Sequence, residues 1–217
     1  DMDIADPVVW LAHAAAWSTT LRLAGGIVVL PQQHPLQVAK AWATLDQLSD
    51  GRAMLGVGMG YLDSELRAVG ADPVEREDRF VEHIEAIRTA WSADASTFQG
   101  RFSKWEDMVC RPRPRQPSGV PIVLGAGGPK AARRAASLGD GMLWPGSLGL
   151  QSHDEAHRTK ASQLVDALER GLDEAGRARG EVELTVGVSA RITDDDLDHF
   201  RDLGVARVLV SARDVTA

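Results

Sequence analysis

Cysteine is nearly absent from this chain of 217 residues: Cys110 stands alone, which excludes an internal disulfide framework and a cysteine-rich metal site. No apolar run approaches the ~18 residues that a membrane-spanning helix requires. The N-terminal Asp1-Met2-Asp3 lacks the basic start and apolar run of a secretory leader, which predicts a cytoplasmic protein. Basic charge is also in deficit. The formal net charge is −7, and the cations are nearly all Arg, so neither a nucleic-acid footprint nor a basic membrane-binding patch is expected. Several catalytic signatures are missing as well. There is no G-x-S-x-G nucleophile elbow and no P-loop, and the glycines after Gly56 fail G-x-G-x-x-G because positions 61 and 63 are Tyr and Asp. His153 and His157 are four apart with no third ligand in view, so no metal site is expected.

What is present is an alternation of short apolar strands and helices. Asp6-Pro7 opens a helix running to Trp17 that is apolar nearly all round, which predicts burial on both sides. Leu21 to Leu30 reads as a strand stopped by Pro31. A helix from Pro35 ends at the turn Ser49-Asp50-Gly51, and Ala53 to Gly58 reads as a buried strand. Helices over Asp63–Val69 and Glu75–Trp91 follow. The stretch from about 92 to 119, with a hairpin near Phe98–Phe102, reads as an excursion outside the main sheet. The alternation then resumes with strands at Pro121–Leu124, Gly141–Trp144, Glu183–Val188 and Arg207–Val210. Between them lie helices over Lys130–Leu138, about Asp154–Ala175 and Asp194–Leu203. Such a rhythm predicts parallel βα units in one domain over residues 1–217. About six strands fit an open doubly wound sheet by raw count, with a (β/α)₈ barrel as the alternative.

Ligands of either architecture bind at the C-terminal ends of strands, and glycine accumulates at three of them. Gly25-Gly26-Ile27 interrupts the first strand, where glycine marks a bulge, a close backbone approach or helix packing. Gly56-Val57-Gly58-Met59-Gly60-Tyr61 runs off the second. Gly125-Ala126-Gly127-Gly128-Pro129-Lys130 joins a strand to a helix, where free N–H groups, the helix dipole and Lys130 together suit a phosphate. Among other candidates, His13 reads as a packed or surface side chain, His34 as a cap, Cys110 as unactivated, and Asp194-Asp195-Asp196 as capping acids. Phosphate-binding backbone without an evident acid, base or nucleophile suits an enzyme whose chemistry resides in a cofactor.

The chain resembles the bacterial luciferase-like monooxygenase superfamily. The resemblance rests on Asp6-Pro7, Leu23 to Pro31, His34-Pro35 and Ala43-Thr44-Leu45-Asp46 through Gly51-Arg52. It extends to the Gly56–Gly60 strand, Glu75-Arg76, Phe98-Gln99-Gly100 and Gly139-Asp140-Gly141. The match is nearest to the branch using the deazaflavin coenzyme F420. It implies a (β/α)₈ TIM barrel, with the family's first two strands and a catalytic or substrate-positioning His falling before Asp1. No position here inherits that His, so the catalytic residue is left unassigned. The resemblance further implies a non-proline cis peptide and bulge at Gly26-Ile27 backing the cofactor ring. Phosphate contacts fall at Gly58-Met59-Gly60 and at Ala126, Gly127, Gly128 and Lys130, and Tyr61 and Trp144 line the substrate side. Some FMN-using relatives carry Arg at the position of Met59, which favours F420. The expected activity is F420-dependent hydride transfer to or from a small organic substrate. An FMN-dependent monooxygenase is the alternative, and a truncated, non-catalytic cofactor-binding barrel the second alternative. A homodimer through the Val8–Trp17 and Leu36–Leu48 helices is also expected.

Overall fold

The computed structural model describes residues 5–146 and 155–211. The chain divides into two compact units, residues 1–122 and 123–217.

The first unit opens with α1 (Pro7–Trp17), whose N-cap Asp6 accepts the Val9 N–H at 3.0 Å. Strands β1 (Leu23–Ala24) and β2 (Val28–Val29) follow, then a 3₁₀ turn over Leu30–Gln32 and α2 (Pro35–Leu48). Strand β3 (Ala53–Gly58) is buried along its whole length. Both β1 and β2 pair with it in parallel. Helices α3 (Asp63–Ala68) and α4 (Arg76–Ser92) complete the helical layer, and β4 (Ser96–Gln99) and β5 (Lys104–Met108) form a separate two-stranded antiparallel sheet. Trp42, Leu45, Leu55, Leu66, Phe80, Ile84 and Ile87 build the core, each at most 2% exposed. At 20–33 cal/mol per Å², such side chains contribute roughly 2 kcal/mol each.

The single strand expected over Leu21–Leu30 is two strands. Ala24 pairs with Met54 and Val28 with Val57, so four steps on one chain oppose three on the other. That extra residue is a bulge at Gly25–Ile27, and it ends in the 3₁₀ turn, where Pro31 has no N–H to continue a ladder. The Gly26–Ile27 peptide bond is cis, as is Arg111–Pro112.

The motif from Ala43 to Arg52 proves to be architectural. Asp46 is fully buried, and its carboxylate accepts the backbone N–H groups of Arg115 (2.8 Å) and Gln116 (3.0 Å) and the Gln116 side-chain amide (2.8 Å). It thereby fastens α2 to the segment leading out of the hairpin. Arg52 donates to the carbonyls of Ser49 and Leu21, each at 2.6 Å. A buried carboxylate is tolerable where donors of this kind replace water.

The second unit is a four-stranded parallel run. Strand β6 (Ile122–Gly125) leads into α5 (Pro129–Leu138) and β7 (Gly141–Trp144). After α6 (Glu155–Ala175) come β8 (Glu183–Val188), α7 (Asp194–Asp202) and β9 (Arg207–Val210). The order is β6-β7-β8-β9, with Leu124 opposite Met142, Met142 opposite Leu184, and Val186 opposite Val208. Gly171 lets α6 approach α5 closely: a Cβ there would stand 2.8 Å from the Ala136 methyl and from the Arg133 Cα. Arg177 closes the C-terminal end of α5 by donating to the carbonyls of Ala136 (2.7 Å) and Gly139 (2.9 Å).

One expectation from helix pattern is corrected. Helix α1 is apolar, yet none of its residues is buried, and Val9, Trp10 and Trp17 are 71%, 61% and 81% exposed. An all-round apolar helix signals a need for partners, and within the described residues those partners are missing on its outer faces.

Candidate functional site

The bulge and the strand beneath it form an apolar shelf in the first unit. β3 carries no side chain where the bulge crosses it: a Cβ on Gly56 would lie 1.8 Å from the Gly25 carbonyl oxygen, and one on Gly58 would lie 2.0 Å from Ile27 Cδ1. Ile27 therefore rests directly on Gly58 while keeping 41% of its surface exposed. At Gly60 the backbone turns with φ +71°, a conformation suited to glycine, and Arg76 holds the turn by donating to the Gly60 carbonyl at 3.2 Å. Arg76 also pairs with Asp63 and donates to the Pro73 carbonyl. It positions the end of β3, a role its sequence context alone did not reveal.

Beside the shelf lies a cleft of about 450 Å³, lined by Ile27, Val28 and Val29, the start of α1, and Gln32, Gln33 and Gln37. A volume of this order is typical of small-ligand sites. These glutamines, at the 3₁₀ turn and in the first turns of α2, escape sequence reasoning, because amide side chains carry no pattern of their own. Met59 is half-buried at the strand end, and Tyr61 beyond it is 85% exposed.

In the second unit, β6 delivers Gly127 and Gly128 to the start of α5. A Cβ added to either glycine would meet nothing within 4 Å, so their backbone is open to a ligand. Gly128 is the N-cap and supplies no side-chain cap, and Pro129 occupies the first helical position. The N–H groups of a first helical turn have no partner within the helix and carry the positive end of its dipole. Lys130 is exposed in that turn. Ala126 departs from expectation: its N–H donates to the Leu143 carbonyl at 2.8 Å and the residue is buried, so this amide is already committed to β7.

Trp144 is also placed differently from its expected position on the substrate side. It is 8% exposed, shares a face of β7 with the fully buried Met142, and stacks on His157 of α6 with ring centroids 4.6 Å apart. The ring lies between sheet and helix, with Phe200 edge-on to His157 at 5.8 Å. His34 caps α2 by accepting the Leu36 N–H, and His13 lies between Trp10 and Trp17 on α1. Thr193 is the N-cap of α7, and Asp196 completes the capping box. Cys110 is buried, and burial pushes its thiol pKa up, away from nucleophilic character. Among the described residues no three metal-ligating side chains cluster. His153, paired with His157 in the sequence, lies outside the described residues.

Residues 2–208 match the model of the family described as luciferase-like monooxygenase. The chain belongs to the luciferase-like monooxygenase family. Within that family, an F420-dependent glucose-6-phosphate dehydrogenase of Kineococcus radiotolerans is 34% identical over 193 residues, covering 87% of this chain and 54% of the relative. The chain thus spans about half the length of that curated relative. Monooxygenase RslO1 from Streptomyces bottropensis superposes with a TM-score of 0.74 at 27% identity, covering 92% of this chain and 59% of that one. An F420-dependent secondary alcohol dehydrogenase, solved with an F420–acetone adduct, superposes at 0.78 with 18% identity, covering 95% and 78%. At that identity the likeness shows the fold, a parallel α/β arrangement of the luciferase-like barrel type. The cis peptide and the bulge implied at Gly26-Ile27 are both present.

Proposed function

We propose that this chain is an F420-dependent oxidoreductase transferring hydride between the deazaflavin and a small organic substrate. The observation that carries the reading is the shelf: a bulge lying on a strand whose Gly56 and Gly58 leave no side chain in the way, with Ile27 exposed on top. A flat tricyclic ring needs an apolar floor of this kind, and Ile27 would supply it, flanked by Gly26, Gly58, Met59 and Gly60. The ring contributes the hydride chemistry when bound. The chain's own part is to orient it, through Ile27 beneath and through the Arg76-held turn at Gly60.

The phosphate group would be taken by Gly127, Gly128 and Lys130, where open backbone meets a helix N-terminus. Ala126 would shape this loop from behind rather than donate to it. Tyr61 would sit at the substrate side of the shelf. The names of the F420-dependent relatives support deazaflavin as the cofactor.

A second reading is an FMN-dependent monooxygenase: the likeness to RslO1 favours a monooxygenase, and FMN, like F420, pairs a flat ring with a phosphate. Separate fluorescence titrations with F420 and FMN decide between them. Saturable binding of F420 supports the first reading, binding of FMN alone supports the second, and a folded chain that binds neither supports a non-catalytic barrel. The exposed apolar residues of α1 would pack against a second copy of the chain. Light scattering at micromolar concentration should return the dimer mass, and a monomer would overturn that assembly.

A further inference from the structure

Three residues that each carry an unpartnered buried polar atom line one cavity in the first unit. His83, on α4, is 2% exposed, and its Nδ1 lies 3.3 Å from the Leu30 carbonyl oxygen. A carbonyl only accepts, so Nδ1 carries the proton and Nε2 presents a bare lone pair. Among the described residues that Nε2 has no hydrogen-bond partner, and neither do Ser103 Oγ and Arg79 Nε. The three residues carrying these atoms all line a cavity of about 300 Å³, together with Gln32, Gln33 and His34. Buried polar groups in native proteins are paired, and leaving one unpaired costs about 1–3 kcal/mol. Three such atoms on residues that line one cavity therefore point to an occupant.

The lining specifies its chemistry. Arg79 is a cation, held with its guanidinium carbon 4.5 Å from the Phe102 ring centroid, and among the described residues no carboxylate lines the cavity. The neighbouring acid, Glu82, is engaged elsewhere: it accepts the backbone N–H groups of Arg101, Phe102 and Ser103 at 2.6–2.9 Å and so fixes the hairpin wall. Burial pushes the His83 pKa below its ordinary value, in keeping with a neutral ring. An occupant must thus accept from Arg79 and Ser103 while donating to His83.

The geometry points to a binding site for a small oxyanion that keeps an O–H group, such as hydrogen phosphate or a short 2-hydroxy carboxylate. Its anionic oxygens accept from Arg79 Nε and the Ser103 hydroxyl, and its O–H donates to His83 Nε2. A cavity of about 300 Å³ has room for such a ligand together with several waters. Arg79, His83 and Ser103 belong neither to the shelf nor to the α5 loop, so the site stands apart from the cofactor reading, although Gln32 and Gln33 also line the cleft beside the shelf.

The test is NMR of the chain labelled with ¹⁵N in its histidine rings, following His83 Nε2 at pH 7.5. Inorganic phosphate and glycolate are titrated separately at constant ionic strength, with sulfate as the oxyanion that has no O–H. Either phosphate or glycolate should shift the Nε2 resonance saturably at millimolar concentration, sulfate should not, and Ser103→Ala should weaken binding about tenfold. Phosphate bound at the start of α5 would be insensitive to Ser103→Ala and leaves the readout unconfused. Should Ser103→Ala not fold, the contrast between phosphate and sulfate on the unaltered chain decides alone. An unmoved resonance means the cavity holds only water. An equal response to sulfate means an adventitious ion only. Either result overturns the site.

Discussion

Replacing Gly58 by Ala separates the cofactor shelf from the stability of the fold. The new Cβ would stand 2.0 Å from Ile27 Cδ1 and 3.3 Å from its Cγ1, so the ring floor must move. The obstacle is the far end of a side chain that is 41% exposed, and Ile27 can rotate away into solvent. An unfavourable rotamer costs about 1 kcal/mol, which for a chain of this size lowers Tm by roughly 2–4 °C. Displacing the floor by about the width of a methyl should weaken F420 binding roughly tenfold, or about 1.4 kcal/mol. Gly56→Ala makes the contrasting case. There the obstacle is the Gly25 carbonyl, 1.8 Å from the new Cβ, and the bulge must lift off β3, straining the Gly25 N–H to Met54 carbonyl bond of 3.1 Å. Overpacking against backbone should cost about 3 kcal/mol or more. Chemical denaturation and a fluorescence titration, run on both variants, measure the two effects. A Gly58→Ala protein that binds F420 as tightly as the unaltered chain, or a Gly56→Ala protein of unchanged stability, would refute the reasoning.

Three further outcomes are expected. Gly127→Asp places a carboxylate where a Cβ has open space, so Tm should hold within a few degrees while F420 affinity falls at least tenfold by charge repulsion, as read by the same titration. Asp46→Ala strands the N–H groups of Arg115 and Gln116 and should lower unfolding free energy by about 3 kcal/mol in urea. Burial alone would raise the Asp196 pKa, but hydrogen bonds from Thr193 (2.7 Å) and Arg158 (2.8 Å) outweigh it and hold the group at about 2. With the folded pKa below the unfolded one, Asp196 stabilises the protein above pH 4, and that contribution, about 2 kcal/mol, is lost as pH falls from about 4 to 2. The stability difference between the unaltered chain and Asp196→Asn, measured by urea unfolding, should shrink across that window; a difference that stays constant would contradict it.

Most elements were legible because each carries its own punctuation. Ser49-Asp50-Gly51 stops α2, Gly176 with φ +65° stops α6, and β3, β7, β8 and β9 fall where their apolar runs begin and end. The bulge was only half legible. Gly25-Gly26 marked an irregularity, but the one-residue slip between Ala24–Met54 and Val28–Val57 depends on the partner strand. Trp144 was misplaced for a related reason: in a four-residue strand with buried residues on both faces, alternation does not say which face meets the helices. The roles of Asp46 and Arg76 are tertiary, set by donors and acceptors from distant segments, and the His83 cavity exists only because the β4–β5 hairpin brings Ser103 to α4. The phosphate loop was the reverse case. Gly127-Gly128 before a helix is a local arrangement, and its openness follows from the glycines themselves.

The central claim is that the Ile27 shelf and the Gly127-Gly128 loop serve a deazaflavin. Its most direct test is the change in F420 fluorescence on titration with the purified chain, set beside the same titration with FMN. Saturable F420 binding in the micromolar range, weakened by Gly58→Ala and by Gly127→Asp, is the predicted result. Binding of FMN alone, or F420 binding indifferent to both substitutions, would contradict it.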